Sequence, residues 1–249
     1  ARKFVDICKS LPEGCDIECK LDDGKLIVRS GRSRFTLATL AASEFPRVED
    51  SIGTQKFEIK QGELKRLIDR TAFAMAQQDV RYYLNGMLWE LTAEQLRVVA
   101  TDGHRLAMCT LIKPLNVDTE TQVILPRKGV LELARLLQDE DAEVAVVIGN
   151  NHLRATTNDF TFTSKLVDGK FPEYDRVLPR APSKIVIGSR LDLRQAFART
   201  AILSNEKYRG VRLQLSDQNL QILANNPEQE EAEEVVSVFV FLTQIMIII

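Results

Sequence analysis

Arg127-Lys128-Gly129-Val130 decides the fold, because it is the second appearance of Arg2-Lys3-Phe4-Val5, about 125 residues further on. The likeness spreads outward from there. Leu40 followed by Phe45-Pro46 returns as Leu166 followed by Phe171-Pro172, and Thr71-Ala72 returns as Thr200-Ala201. Gly86, Leu96 and the Ala100-Thr101-Asp102 end of a strand return as Gly210, Leu220 and Ala224-Asn225-Asn226. A period this long means copies of one domain and not a solenoid of small units. Tandem copies build an extended, curved or closed surface, which points to wrapping or scaffolding ahead of a catalytic cleft.

Periodicity then supplies the elements. Arg2 to Leu11 reads as a helix with Phe4, Val5, Cys8 and Leu11 on one face, stopped by Pro12-Glu13-Gly14. Short strands follow at Asp16 to Leu21, Leu26 to Ser30 and Arg34 to Ala38, the first two joined by the hairpin signal Asp22-Asp23-Gly24. After a polar connector at Glu44 to Gly53 come a strand at Lys56 to Lys60 and a helix from Gly62 to Met75. That helix offers Leu64, Leu67, Ile68, Thr71 and Phe73 to a core. Strands are predicted at Leu84 to Leu91, Gln95 to Thr101, Arg105 to Ile112 and Thr121 to Leu125, then a helix at Lys128 to Leu137. Strands at Glu143 to Ile148, His152 to Thr156 and Phe160 to Leu166 close the unit. A proline-bearing connector, Asp168 to Ser183, leads to a strand at Lys184 to Ile187 and a helix at Leu191 to Leu203. Strands near Val211 to Leu215 and Leu220 to Ala224 follow. Each unit is strand, helix, three strands, twice over. Boundaries near 50 and 180 give the second half of one domain (1–50), a complete domain (51–180) and the first half of a third (181–249). The apolar tail from Val235 to Ile249 is shorter than the ~20 residues a spanning helix needs. Its β-branched composition reads as strand.

Composition narrows the function. At 45% hydrophobic and 27% charged the chain is an ordinary globular one, and its net charge of -2 argues neither for nor against nucleic acid. Cys8, Cys15, Cys19 and Cys109 form no C-x-x-C pair, and His104 and His152 are the only histidines, so no zinc site or other cofactor is expected. Scattered thiols and an opening without a signal peptide suit a reducing cytoplasm and no membrane.

Where the charges sit is more telling. The expected helices carry Arg2, Lys3 and Lys9, then Lys65, Arg66 and Arg70, then Arg127, Lys128 and Arg135, then Arg190, Arg194 and Arg199. Acidic excess collects instead in Glu228-Gln229-Glu230-Glu231-Ala232-Glu233-Glu234. Basic faces repeated on every helix of an array offer a sequence-independent lining for phosphates. Tyr82 and Tyr83 beside Arg81 form the one aromatic-basic cluster, and nothing resembles base-edge readout.

Several long motifs carry a family resemblance: DVRYYLNG at Asp79 to Gly86, TDGHRL at Thr101 to Leu106 and PRKGV at Pro126 to Val130. SKLVDGKFPEY at Ser164 to Tyr174 and AILSNEKYRGVRL at Ala201 to Leu213 add to it. Together they resemble the bacterial DNA polymerase III β subunit, the sliding clamp, up to about Val236. The resemblance implies an α+β chain of tandem DNA clamp (processivity fold) domains, with helices lining a concave basic face and antiparallel sheets outside. Members are head-to-tail homodimers of three-domain subunits closed around double-stranded DNA. On that pattern the chain lacks the first half-domain and most of the last. It implies partners in DNA polymerase III, other polymerases and the clamp loader. A peptide-binding cleft falls to Leu84, Thr101, Gly103, His104, Arg105, Leu106, Pro172, Arg176 and Val177. DNA contacts fall to Arg2, Arg66, Arg70, Gln78, Tyr82, Tyr83, Arg127, Lys128 and Arg194. A dimer interface would pair Lys3, Arg32, Phe35 and Leu37 with Ile202, Leu203, Glu228, Glu230, Glu231 and Glu234.

Two other readings compete with a processivity factor. An incomplete clamp acting as a peptide-binding scaffold would bind partners without holding DNA. An enzyme would use Asp102, His104 and Cys109, since a histidine beside a carboxylate can act as a base. A plain strand-to-strand turn at Asp102-Gly103 explains the same residues, and no nucleophile or phosphate loop accompanies them.

Overall fold

A computed structural model describes residues 2–44, 53, 55–117, 119–179, 184–216 and 218–245, with backbone alone for 184 and 241–245. Phe45-Pro46, most of the connector at 44–53 and the end of the connector at 168–183 lie outside the described residues. The chain divides into two units, Ala1–Phe171 and Pro172–Ile249.

The centre of the first unit shows how the repeat folds. One half is β4 (Gln55–Lys60), α2 (Gln61–Asp69), β5 (Gly86–Leu91), β6 (Gln95–Thr101) and β7 (Leu106–Ile112). The other is β8 (Thr121–Pro126), α3 (Arg127–Leu136), β9 (Glu143–Ile148), β10 (His152–Thr156) and β11 (Thr161–Lys165). Each half gives its first strand away. β4 pairs antiparallel with β9, and β8 with β5, so the sheets run β11-β10-β9-β4 and β7-β6-β5-β8. The halves interlock, and neither sheet is complete without the other half.

Sequence explains the placement. β4 alternates buried Gln55, Phe57 and Ile59 with exposed neighbours, the pattern of a strand with one dry face. α2 buries Leu64, Leu67 and Ile68, and α3 buries Val130 and Leu133, spaced three and four apart. The helices touch each other and cover a core that includes Trp89, Leu96, Val98, Val146 and Leu153. Burying each such large side chain contributes about 1.5–3 kcal/mol as an upper estimate. Gly129 stands where the first copy has Phe4; a Cβ there would lie 2.7 Å from Ser164 Oγ and 3.3 Å from its Cβ, so a side chain would require Ser164 to move.

Ahead of this domain lie α1 (Arg2–Ser10) and a sheet of β1 (Glu18–Asp22), β2 (Lys25–Ser30) and β3 (Ser33–Ala38), in that order. Contrary to expectation, α1 buries none of its residues: Phe4, Cys8 and Leu11 are half-covered and Val5 is exposed. In the second unit, β13 (Arg212–Ser216), β14 (Asn219–Asn225) and β15 (Glu231–Ser237) form one sheet, and β12 (Lys184–Ile187) pairs with β16 (Phe239–Ile245). α4 (Arg190–Thr200) packs on β14 and β15, with Ala196, Ile222, Val236 and Val238 in a small core. Half of the glutamate run thus becomes strand β15, and part of the apolar tail becomes β16, paired along β12.

Two expected helices are shorter than their periodicity. α2 stops at Asp69, and Ala72–Ala74 is a tight 3-10 turn; α4 stops at Thr200, and Ala201–Leu203 is another. A hydroxyl bond recurs at both ends. Buried Thr71 donates its hydroxyl to Leu67 O (2.8 Å) and buried Thr200 to Ala196 O (2.9 Å), a local competition with the helix ladder. Phe73, offered to the core by the longer helix, is therefore turned out and is 58% exposed.

Candidate functional site

The turn between β6 and β7 is built from its own side chains. Asp102 Oδ1 accepts from the amides of His104 and Arg105, each at 3.0 Å, and Asp102 Oδ2 accepts from Arg105 Nε at 3.2 Å. Thr101 Oγ1 donates to Arg105 O and accepts from the Gly103 amide. These bonds, the Arg105 amide's foremost, hold the Asp102 carboxyl below the usual carboxylate range. Asp102 is thus spent on the turn, bonded to the His104 amide and not to its ring. The structure gives the pair this turn-forming arrangement in place of a histidine–carboxylate base.

Around the turn, His104 and Arg105 are exposed, Thr101 and Leu106 half-buried. Leu84 is 2% exposed and sits in the wall of the domain, below the surface. Arg105 Nη2 donates to Phe73 O at 2.9 Å, and its guanidinium lies 5.4 Å from the centre of the Phe73 ring. The outward Phe73 thus joins the turn, a neighbour that periodicity alone assigned to the core. In the second unit, Pro172, Arg176 and Val177 are exposed, with Arg176 paired to Glu173 at 2.6 Å.

Beside the turn runs the loop that carries Gln78, Tyr82 and Tyr83. Gln78 takes a positive φ of 56°, and the tyrosine rings meet edge to face at 5.8 Å. Tyr82 is exposed and Tyr83 half-buried. Arg81 clasps Asp79 with its amide, Nε and Nη2, at 2.8, 3.0 and 2.8 Å. That side-chain clasp lowers the Asp79 pKa to about 2.

The basic helix residues divide into two groups. Four are used inside the fold. Lys65 donates to Ala134 O, tying α2 to α3, and Arg127 donates to Ala72 O and Met75 O. Arg135 pairs with Glu132, and Arg199 forms a two-pronged pair with Glu234 at 2.6 and 2.9 Å. Arg127 is half-buried, with one guanidinium nitrogen 3.5 and 3.4 Å from the Ala72 and Met75 carbonyls. Arg2, Lys3, Lys9, Arg66, Arg70, Lys128, Arg190 and Arg194 are exposed and make no ion pair among the described residues. Arg66 on α2, Arg70 just past its end and Lys128 on α3 belong to one domain in which the two helices touch.

The residues assigned to a dimer contact sit on two surfaces. Phe35 and Leu37 are half-buried on β3, an outer strand of its sheet, and Arg32 lies in the turn before it; Lys3 is exposed on α1. Ile202, 76% exposed, and Leu203 lie in the 3-10 turn after α4. Glu231 and Glu234 are on β15, and Glu228 and Glu230 precede it. Glu230 accepts from Asn226 Nδ2 at 2.6 Å, and Arg199 holds the Glu234 carboxyl below its ordinary range. Both contacts lie within the chain, so these two glutamates are less free to meet a partner than the sequence suggested.

Two strand-exchanging halves, each strand–helix–three strands, with paired helices over antiparallel sheets, define a DNA clamp domain. Comparison with known proteins agrees. Family models of the DNA polymerase III beta subunit match residues 1–49 (N-terminal domain), 58–173 (central domain) and 175–247 (C-terminal domain). The last match runs past Val236, where by sequence the resemblance was expected to end. The beta sliding clamp of Pseudomonas aeruginosa is 64% identical over 96% of this chain, and that of Escherichia coli K12 56% identical over 96%. The chain spans 65% of the length of either relative. A crystal structure of the Pseudomonas aeruginosa DNA polymerase III subunit beta is similar at a TM-score of 0.86 and 64% identity, covering 96% of this chain and 66% of that one. A Bartonella birtlesii sliding clamp bound to griselimycin is similar at a TM-score of 0.84 and 35% identity, covering 96% and 66%. The chain belongs to the DNA polymerase III beta subunit family.

Proposed function

We propose that the chain works as a DNA sliding clamp, a processivity factor with no chemistry of its own. It encircles double-stranded DNA and tethers DNA polymerase III, other polymerases and the clamp loader in the cytoplasm. The observation that carries this reading is the set of exposed cations Arg66, Arg70 and Lys128, on or just past two packed helices in a domain of the clamp fold. Such groups neutralise phosphates without reading sequence. DNA contact is also assigned to Arg2, to the loop with Gln78, Tyr82 and Tyr83, and, in the second unit, to Arg194 on α4. Arg127 serves it indirectly, by fixing the start of α3 against the end of α2. The three-domain division at about 50 and 180 belongs to the same proposal.

Peptide capture centres on the 101–106 turn, where Phe73, Leu106, His104 and Arg105 combine apolar area with exposed donors. Assembly is head to tail, Phe35 and Leu37 of one copy against Ile202 and Leu203 of another, and apolar burial supplies most of its affinity. One experiment tests encirclement and assembly together. Loaded on a circular plasmid by a bacterial clamp loader, the protein is expected to stay bound until the circle is cut. Leu203→Ala is expected to shorten retention on the intact circle. Equal retention on cut and intact DNA would contradict encirclement, and an unaffected Leu203→Ala would contradict the interface.

A further inference from the structure

We infer that Arg81 is a positioning residue that couples DNA contact at the Tyr82–Tyr83 loop to peptide binding at the 101–106 turn. This rests on the function proposed above and goes beyond it, because nothing in that function requires the two surfaces to communicate. The geometry that joins them is specific. Arg81 Nη2, already clasping Asp79, also donates to Asp102 O at 3.4 Å. Gly103 takes a φ of 87°, and a Cβ built there would lie 3.1 Å from both Nη1 and Nη2 of Arg81. The guanidinium therefore packs against bare backbone at the tip of the turn. A side chain there would crowd the guanidinium and strain the backbone.

On the loop side the same residue is firmly held. Asp79 donates its amide to Asn85 Oδ1 at 2.9 Å, and Asn85 Nδ2 donates back to Asp79 O at 2.8 Å. Leu84 donates its amide to Arg81 O, and Arg127, the first residue of α3, donates its amide to Asn85 O. Tyr82 follows Arg81 directly in the chain, with its exposed ring set against Tyr83. A ligand that pins the tyrosines fixes the backbone of Arg81, and through it Asp102 O and the amides that shape the turn. The second anchor of the turn, Arg105 on Phe73, leads to the end of α2 and not to the tyrosines.

An exposed ion pair by itself contributes little. What Arg81 supplies is a planar fork that meets a carboxylate, a carbonyl and a glycine at once. A lysine keeps the charge but cannot reproduce that fork. Coupling is reciprocal, so peptide must tighten DNA binding by the same factor that DNA tightens peptide binding.

The test titrates a fluorescein-labelled clamp-binding peptide of a bacterial replicative polymerase against the protein, with and without a saturating short duplex. The wild-type protein is expected to bind the peptide about fivefold more tightly with the duplex present, the low end of ordinary coupling. Arg81→Lys is expected to bind each ligand alone but to give superimposable titrations. Tyr82→Ala, which keeps Arg81, is expected to lose the shift as well. A wild-type protein that binds both ligands without a shift overturns the coupling and leaves the function standing. A shift retained in Arg81→Lys overturns the role of the fork. If the wild-type protein binds neither ligand, the function falls and the inference with it.

Discussion

Gly103 shows how much a single residue can decide. Its φ of 87° lies where L side chains are strained, and a Cβ there would lie a tight 3.1 Å from the Arg81 guanidinium. Gly103→Ala is expected to cost about 1–2 kcal/mol in chemical denaturation and to weaken peptide binding at the turn. Unchanged stability and affinity would contradict the packing described. Asp79 makes a prediction about pH. Its carboxyl is held at about 2 against an ordinary 3.8, chiefly by the Arg81 side chain. A folded-state pKa below the unfolded one means that the stabilisation is complete above about pH 4 and is lost as pH falls towards 2. Carboxyl chemical shifts followed by NMR are expected to place the Asp79 midpoint near 2, and a midpoint near 4 would show that the clasp is absent. TDGHRL and DVRYYLNG marked both segments in the sequence. That Arg81 joins them was not legible, because the contact links a loop to a turn 21 residues further along the chain and depends on a backbone angle.

At the scale of elements, the repeat predicts more than the strand count. Thr71 and Thr200, matched in sequence, make matched bonds to the carbonyl four residues back and end matched helices. Periodicity overran both helix ends because the apolar rhythm continues past the threonines, while the backbone tightens into a 3-10 turn after each. At Thr71 the amide goes to Ile68 O, and the hydroxyl serves the buried Leu67 carbonyl. Thr71→Val, similar in shape, is expected to destabilise the protein by about 1–3 kcal/mol, the cost of a buried acceptor left alone. A loss within error of zero, by thermal or chemical unfolding, would show that the hydroxyl is incidental. The exchange of β4 and β8 between halves was hidden from the sequence for another reason. Alternation identifies a strand and its dry face but not its partner, and both pairings here are non-local.

For the whole molecule, the tandem architecture was legible from Arg127-Lys128-Gly129-Val130 onward, and charge bias by element pointed to the function. Which cations are available was not legible. Lys65 and Arg127 are taken by carbonyls far along the chain, and Arg199 by a glutamate on another element. Arg66, Arg70 and Lys128 remain exposed, on or just past adjoining helices, and phosphate binding is assigned to them. The most direct measurement is duplex affinity over a salt series, on two unrelated sequences, for the wild-type protein and for the Arg66→Ala, Arg70→Ala, Lys128→Ala triple variant. Both duplexes are expected to give the same steep dependence, and the variant's slope to be shallower by about 0.9 log unit per log unit of salt for each contact removed. A strong preference for one sequence, or a variant with the wild-type slope, would contradict sequence-blind phosphate binding by these helices.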